Sequence, residues 1–297
     1  MIPASAFTEL LAEVEKFWVP LPDKPEETAA GVLSALWLAA AGTPKAIQQA
    51  LQSDLGPLDD AAGERLRGLI EQKKSGVPLA HLTGRQEFLG LELLSGPGAL
   101  IPRRETEIVG KAALARIKTL AAERGSLLVV DVCTGSGNLA LAYAHHEPRA
   151  KVFGADLSEE AVALARRNAG HLGLPVEFRA GDLLAPYDND GFVGKLDFLS
   201  CNPPYISAAK VPHMHKEISG FEPELAFNGG AFGVSVLTKL LKNAPRFLKP
   251  ASWLGFEVGL GQGPALAKQL GKNPAFAEVE TYADEAGEIR ALLARTV

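Results

Sequence analysis

The tetrapeptide Asn202-Pro203-Pro204-Tyr205 follows an apolar segment, 196–201, that is typical of a buried strand. An amide or exocyclic amine nitrogen is a poor nucleophile because its lone pair is delocalised. The Asn202 side-chain oxygen and the Pro203 carbonyl can accept both N–H bonds of such a group and orient its lone pair, while Tyr205 can pack on its flat face. The alternative is a strand terminator, since two prolines cannot continue a central strand.

A glycine loop, Cys133-Thr134-Gly135-Ser136-Gly137, follows a second apolar segment, 127–132. Its two glycines allow a sharp strand-to-helix turn and let a ligand lie against the backbone. Asp156 ends the next predicted strand, 21 residues after Gly135, where a carboxylate can accept hydrogen bonds from ribose hydroxyls. The alternatives are a tight turn without a ligand and an aspartate that caps the next helix. Together, the loop and the acid favour an adenosine-containing ligand.

Two further acids bear on which adenosine ligand this is. The loop fits a dinucleotide fingerprint, but a dinucleotide needs its pyrophosphate at the helix N-terminus. S-adenosylmethionine (SAM) instead carries an α-ammonium, and Asp131 lies at the strand end where a carboxylate can bind that group. Asp182 follows the third predicted strand and can contact the adenine amino group while Leu183 packs on the ring. Asp182 is equally well explained as a turn residue.

The elements that must position these residues alternate between helices and short strands from residue 104 onward. Strands are predicted over 127–132, 151–155, 176–179, 196–201 and 252–258, followed by two closing strands over 276–282 and 289–294. This alternation predicts an α/β fold with a Rossmann-like, doubly wound sheet. Because such a sheet reverses its order beside the first strand, Cys133 and Cys201 are expected to flank the cofactor cleft, largely buried and reduced.

The residues upstream have a different character. Residues 1–77 are expected to form a small helical bundle, with helices over 8–17, 26–41, 44–52 and 62–74. Residues 78–103 are expected to form a β-hairpin connector, since strand-like runs flank Gly90. We therefore predict three parts: a helical domain (1–77), a connector (78–103) and a catalytic domain (104–297).

The composition limits the class of protein. The 297 residues carry a net charge of −5 with 47% hydrophobic residues, which excludes a wholly disordered chain. The acidic balance counts against a protein that binds nucleic acid through phosphates. Because there is no long apolar run or signal peptide and there are only two cysteines, we expect a cytoplasmic protein without membrane contact. His213-x-His215 has metal-like spacing but no further ligands nearby, so we expect no metal.

The motifs, in this order, resemble those of class I SAM-dependent methyltransferases, and more narrowly the HemK-type protein N5-glutamine methyltransferases that modify peptide chain release factors. Beyond the NPPY tetrapeptide, the narrower resemblance depends on residues 78–88, 100–107 (LIPRRETE), 221–230 (FEPELAFNGG) and 284–290. It covers nearly the whole chain. The sequence departs from the family pattern at Cys133, Arg104, Phe221 and Phe227, where many members carry Gly, Pro, Tyr and Leu.

The resemblance implies methyl transfer from SAM to a glutamine side-chain nitrogen, with S-adenosylhomocysteine as product and a release factor's Gly-Gly-Gln loop as acceptor. It implies that residues 133–137, Asp156, Leu183 and Asn202 line the SAM pocket, and that Asn202 to Tyr205 hold the glutamine. We thus assign catalysis to Asn202, Pro203 and Tyr205. The cofactor residues are Asp131, Cys133, Thr134, Gly135, Ser136, Gly137, Asp156, Asp182, Leu183 and Asn202.

Other functions stay open at this point. A glutamine of a ribosomal protein, or an adenine, cytosine or guanine amino group of DNA or RNA, offers a similar acceptor nitrogen. A NAD-dependent oxidoreductase fits the glycine loop but leaves the NPPY tetrapeptide without a role. A non-enzymatic interaction module would be expected to lack the acids of the site, which are present. We expect a monomer whose N-terminal helices help to bind the release factor.

Overall fold

The structure is a computed structural model that describes residues 2–21, 24–214 and 216–297. The helices are α1 (Phe7–Glu15), α2 (Ala29–Ala40), α3 (Ile47–Leu51), α4 (Asp60–Lys74), α5 (Leu79–Thr83), α6 (Thr106–Arg124), α7 (Asn138–His146), α8 (Glu159–Leu172), α9 (Lys216–Ser219), α10 (Ser235–Phe247) and α11 (Gly263–Leu270). The strands are β1 (Arg85–Phe88), β2 (Leu91–Leu94), β3 (Leu127–Val132), β4 (Ala150–Asp156), β5 (Glu177–Ala180), β6 (Leu196–Cys201), β7 (Leu248–Glu257), β8 (Phe276–Ala283) and β9 (Ile289–Thr296).

The seven-stranded sheet has the order β5-β4-β3-β6-β7-β9-β8. Strands β3 to β7 pair in parallel, whereas β9 pairs antiparallel with both β7 and β8. The predicted Rossmann-like α/β sheet with closing strands is confirmed. Its order reverses between β3 and β6, and in such sheets the cleft beside that reversal is where ligands bind.

Both faces of the sheet are covered, which explains why the central strands are mostly apolar on both faces. Val129 faces one core with α6, α7, α8 and the β1–β2 hairpin, whereas its neighbour Val130 faces a second core with α10 and α11. Side chains alternate between the two faces along each strand. These two cores hold the strand ends rigidly where the site is built.

The residues before the sheet pack around their own core. Helices α1 to α5 surround Trp37, whose indole N–H donates to the Gly56 carbonyl at 2.9 Å. The segment expected to be only a hairpin connector opens with helix α5, which starts after Pro78 and ends at Gly84 in the left-handed conformation. Five residues are too few to show helical periodicity, so this helix was missed.

The predicted neighbourhood of Cys133 and Cys201 is found, since β3 and β6 pair with Val132 opposite Cys201. Both thiols are free. Cys201 is buried among apolar side chains, and this burial raises the pKa of its thiol. Cys133 is only half-buried because it lines the cleft described below, so the expectation that both are largely buried holds for Cys201 alone.

In the described ranges, none of the helices has both the length and the apolar character needed to cross a bilayer.

Candidate functional site

A cleft lies at the carboxyl ends of β3, β4 and β6. Most of the residues assigned from the sequence line it: Asp131, Cys133, Thr134, Gly135, Asp156, Asp182, Leu183, Asn202 and Pro204. Of the assigned residues that the structure describes, Ser136, Gly137, Pro203 and Tyr205 do not line it. His215, half of the metal-like His-x-His spacing, lies outside the described residues.

The glycine loop is held by Asp156. One carboxylate oxygen of Asp156 accepts the Gly135 N–H at 2.9 Å, and the other accepts the Ser158 N–H at 2.9 Å. Ser158 is itself the cap of α8, accepting the Ala161 N–H. Asp156 therefore joins the loop to the start of α8 while lining the cleft, and burial raises its pKa. Asp156 can therefore hold the start of α8 and still be placed to bind ribose hydroxyls.

Gly137 shapes the loop without lining the cleft. It is the residue that begins α7 and has φ 84°, in the left-handed region that favours glycine. A Cβ at this position would lie 2.8 Å from Phe178 and 3.1 Å from Ala165. Glycine is therefore required both by the conformation and by the close approach of α8. The adjacent Ser136 is buried, and its carbonyl accepts a hydrogen bond from Asn168.

Asp131 forms part of the buried wall of the cleft, with a relative exposure of 1%. The hydroxyls of Thr134 and Ser200 each donate to its carboxylate at 2.6 Å. Burial nevertheless dominates and raises the pKa of Asp131 to about 7. The hydroxyl of Thr134 is thus oriented by Asp131, and these two assigned residues form one unit.

Asp182 and Leu183 lie at the edge of the cleft. The Asp182 carboxylate is half exposed and forms an ion pair with Lys239 on α10. Leu183 is buried with φ 50°, a strained value for a branched side chain. The three aspartates line the cleft with hydrogen-bond acceptors, which suits a ligand with an ammonium group and ribose hydroxyls better than one with a pyrophosphate.

The NPPY tetrapeptide follows β6 and presents Asn202 and Pro204 to the cleft. The Asn202 side-chain Nδ2 donates to the Thr106 Oγ1 at 3.1 Å. Pro203 is buried. Tyr205 directs its hydroxyl toward the buried Glu257, and burial raises its pKa. The acceptor side of the site therefore depends on Asn202 more than on the ring of Tyr205.

Several lining residues had been assigned no role from the sequence. They lie mainly on two segments that carried the family resemblance, and they include Leu100, Pro102, Arg103, Thr106, Pro223, Leu225 and Ala226. Glu222 holds the two segments together, since its carboxylate forms an ion pair with Arg103 and accepts the Ile101 N–H at 2.8 Å. Family resemblance was the only sequence signal for this part of the cleft, because the segments are far apart in the chain.

Comparison with known proteins agrees with this geometry. Residues 108–219 match the model of the methyltransferase small domain. The chain is 37% identical over 263 residues to the release factor glutamine methyltransferase of Moorella thermoacetica, covering 87% of each chain. It is 34% identical to the protein of the same name from Bacillus subtilis, covering 81% of this chain and 84% of the relative. The chain belongs to the release factor glutamine methyltransferase family. The family resemblance inferred from the motifs is thereby confirmed.

Membership of the release factor glutamine methyltransferase family makes the chain a SAM-dependent methyltransferase. Among solved structures, the N-terminal domain of human METTL16 in complex with SAH aligns with a TM-score of 0.51 at 14% identity, covering 75% of this chain and 82% of that one. At this identity the likeness supports the fold alone. The identity to the release factor glutamine methyltransferases therefore carries the functional argument.

Proposed function

We propose that this protein transfers the methyl group of SAM to the side-chain amide nitrogen of a glutamine in a peptide chain release factor. The observation that carries the proposal is Asn202, which lies in the cleft with its amide nitrogen bound to Thr106. That hydrogen bond leaves the amide oxygen of Asn202 to accept an N–H from the substrate glutamine. The identity to relatives named for this reaction supports the same acceptor.

The cofactor side of the proposal uses the acidic cleft. SAM supplies a methyl group already activated by its sulfonium, so the reaction requires no metal. Asp156 would bind the ribose hydroxyls, Asp131 the α-ammonium group, and Asp182 with Leu183 the adenine. The acidity of the cleft supports this set, because a cationic ligand gains from nearby carboxylates.

On the acceptor side, the chain itself supplies orientation. The Asn202 oxygen and the Pro203 carbonyl would accept the two N–H bonds of the glutamine amide and direct its lone pair toward the methyl group. Pro204 would pack beside the amide. Positive charge that develops on the nitrogen is stabilised by these acceptors, and the methylated nitrogen then loses a proton.

The remaining parts of the proposal concern partners and domains. The helical residues 1–77 would help to bind the release factor, and residues 104–297 would catalyse the methyl transfer. Residues 78–103 would connect these two parts. Ion pairs from Lys24 and Lys73 to Glu217 support this, since they join the helices to the segment that follows the NPPY tetrapeptide.

We propose that the protein acts as a monomer in the cytoplasm, without metal, membrane or direct nucleic-acid contact. Its net charge of −5 supports the absence of direct nucleic-acid contact.

The test is mass spectrometry of a release factor incubated with the protein and SAM. The expected result is one added methyl group on the glutamine of the Gly-Gly-Gln peptide. Asn202→Ala should lower kcat by about 10²-fold or more through lost orientation while SAM affinity changes less. Asn243→Ala, an exposed asparagine on α10, is the matched control. Methylation of a ribosomal protein or of RNA, with none on the release factor, would overturn the proposal.

A further inference from the structure

Glu257 is a buried carboxylate that the proposed reaction leaves without a role. It ends β7, the strand beside β6, and pairing of Cys201 with Phe256 places it next to Asn202 at the same edge of the sheet. Its relative exposure is 1%, and its Oε2 makes no hydrogen bond within the described residues. Burying a carboxylate without full compensation is costly. Such a group needs an explanation.

The hydroxyls of Thr106 and Tyr205 face this carboxylate. Thr106 has a relative exposure of 1%, and its Oγ1 already accepts the Asn202 Nδ2–H at 3.1 Å. A hydroxyl has a single proton to donate, and that of Thr106 makes no other hydrogen bond in the described part of the chain. The acceptor that it faces is Glu257. The side chains therefore form a directed series from Asn202 through Thr106 to Glu257.

The direction of this series decides which end of the Asn202 amide faces the cleft. With Glu257 ionised, Thr106 donates to the carboxylate and accepts from Asn202, so the Asn202 oxygen faces the cleft. A protonated Glu257 keeps an acceptor oxygen but can also donate to Thr106, whose proton can then turn toward Asn202. In that arrangement the Asn202 amide offers its oxygen to Thr106 and its NH₂ to the substrate, where it cannot accept an N–H of glutamine. The orientation of the Asn202 amide is therefore fixed only while Glu257 is ionised.

We propose that Glu257 is a positioning residue that acts through Thr106 to set the orientation of the Asn202 amide, so that the amide oxygen is held toward the methyl-acceptor site only when Glu257 is ionised. This inference rests on the proposed glutamine methylation and adds a proton-dependent control to the same site.

The surroundings of Glu257 place this control near neutral pH. Burial is the main cause that raises its pKa to about 7. Glu105, before α6, raises the pKa further, whereas the hydroxyls of Thr106 and Tyr205 and the guanidinium of Arg290 on β9 lower it. The balance of these groups leaves the pKa of Glu257 raised into the neutral range.

The experiment is the pH profile of kcat on a release factor at saturating SAM. Saturation matters because Asp131, in the SAM pocket, also has a pKa of about 7. In the wild type, kcat should fall as the pH is lowered through about 7 and level off at a lower value. Glu257→Gln should lower kcat to about that lower value and flatten this acidic limb, because its amide does not titrate and can either donate to Thr106 or accept from it. Thr106→Val should lower kcat by a similar factor with unchanged SAM affinity, and Thr106→Ser, which keeps the hydroxyl, should restore both kcat and the limb.

Glu105→Gln is the matched control, since Glu105 acts on Glu257 through space and not through a hydrogen bond. It should keep the limb but move it to lower pH. An unchanged limb in Glu257→Gln, or wild-type kcat in Thr106→Val, would overturn the inference.

A second readout separates this inference from the proposed function. The side-chain amide NMR resonances of Asn202, without substrate, should shift with one pKa near 7 in the wild type and not in Glu257→Gln. If the wild type does not methylate the release factor, the proposed function fails, and these resonances still decide the inference. Resonances that do not titrate in the wild type would refute it.

Discussion

Glu222 joins the two segments that form one side of the cleft, so its substitution tests how the cleft is held. Its side chain is fully buried, and its carboxylate forms an ion pair with Arg103, whose side chain is 8% exposed. The other carboxylate oxygen accepts the Ile101 N–H at 2.8 Å. Glu222→Gln keeps the shape and one acceptor but removes the negative charge. The buried guanidinium of Arg103 then loses its Glu222 carboxylate.

The expected cost follows from that loss of charge. Removing one partner of a buried ion pair costs about 3–5 kcal/mol, and we expect the lower end because glutamine retains an acceptor for Ile101. The free energy of unfolding, measured by urea denaturation, should therefore fall by about 3 kcal/mol. SAM affinity, measured by calorimetry, should fall as well, because both segments line the cleft.

Glu224→Gln provides the matched control for this measurement. Glu224 lies two residues further along the same segment, but it is exposed and accepts only an exposed hydrogen bond from Asn228. Its substitution should change stability by no more than about 0.5 kcal/mol. If Glu222→Gln costs no more than Glu224→Gln, the ion pair does not hold the cleft together and the reasoning is refuted.

Two further predictions concern other carboxylates. Asp156→Asn should weaken SAM and S-adenosylhomocysteine binding by about 1.5–3 kcal/mol, since hydrogen bonds to a charged group are lost; wild-type affinity in calorimetry would contradict the ribose assignment. Glu257→Gln should change how stability depends on pH. Because the folded pKa of Glu257 is raised from 4.5 to about 7, the wild type should lose about 3 kcal/mol as pH rises through that window. Urea denaturation from pH 5 to 8 should show that the free energy of unfolding of the variant lacks this loss. If the free energies of unfolding of wild type and variant change with pH in parallel, the raised pKa of Glu257 is refuted.

Much of the fold was predictable from local signals. Strands 127–132 and 196–201 match the structure at both ends, since apolar runs bounded by glycine or asparagine leave little choice of boundary. Strand β7 begins at Leu248, four residues before its predicted start, because Lys249 and Pro250 interrupt its apolar pattern. In the structure, pairing with neighbouring strands overrides that interruption.

The site was predictable only where a motif carries its own chemistry. The glycine loop and the NPPY tetrapeptide indicate both their turns and their ligands. Thr106 carries no such motif, and it contacts Asn202 across 96 positions of the chain. Glu257 did carry a signal that was not used. It lies one residue before the end of the predicted strand 252–258 of a parallel sheet, and the carboxyl ends of such strands lie at the ligand edge.

The strand order separates the residues proposed for the cofactor from those proposed for the acceptor glutamine. The carboxylates proposed for the cofactor lie at the carboxyl ends of β3 and β4 and just after β5, whereas Asn202 follows β6 and Glu257 ends β7. Asp131 lies where the two sides meet, because its carboxylate accepts a hydrogen bond from Ser200 on β6. On the proposed assignments, a change of protonation at Asp131 acts first on the SAM side of the cleft, and a change at Glu257 acts first on the glutamine side. Two acids whose pKa values are both raised by burial can thus act on different ligands because they lie on opposite sides of one reversal in strand order.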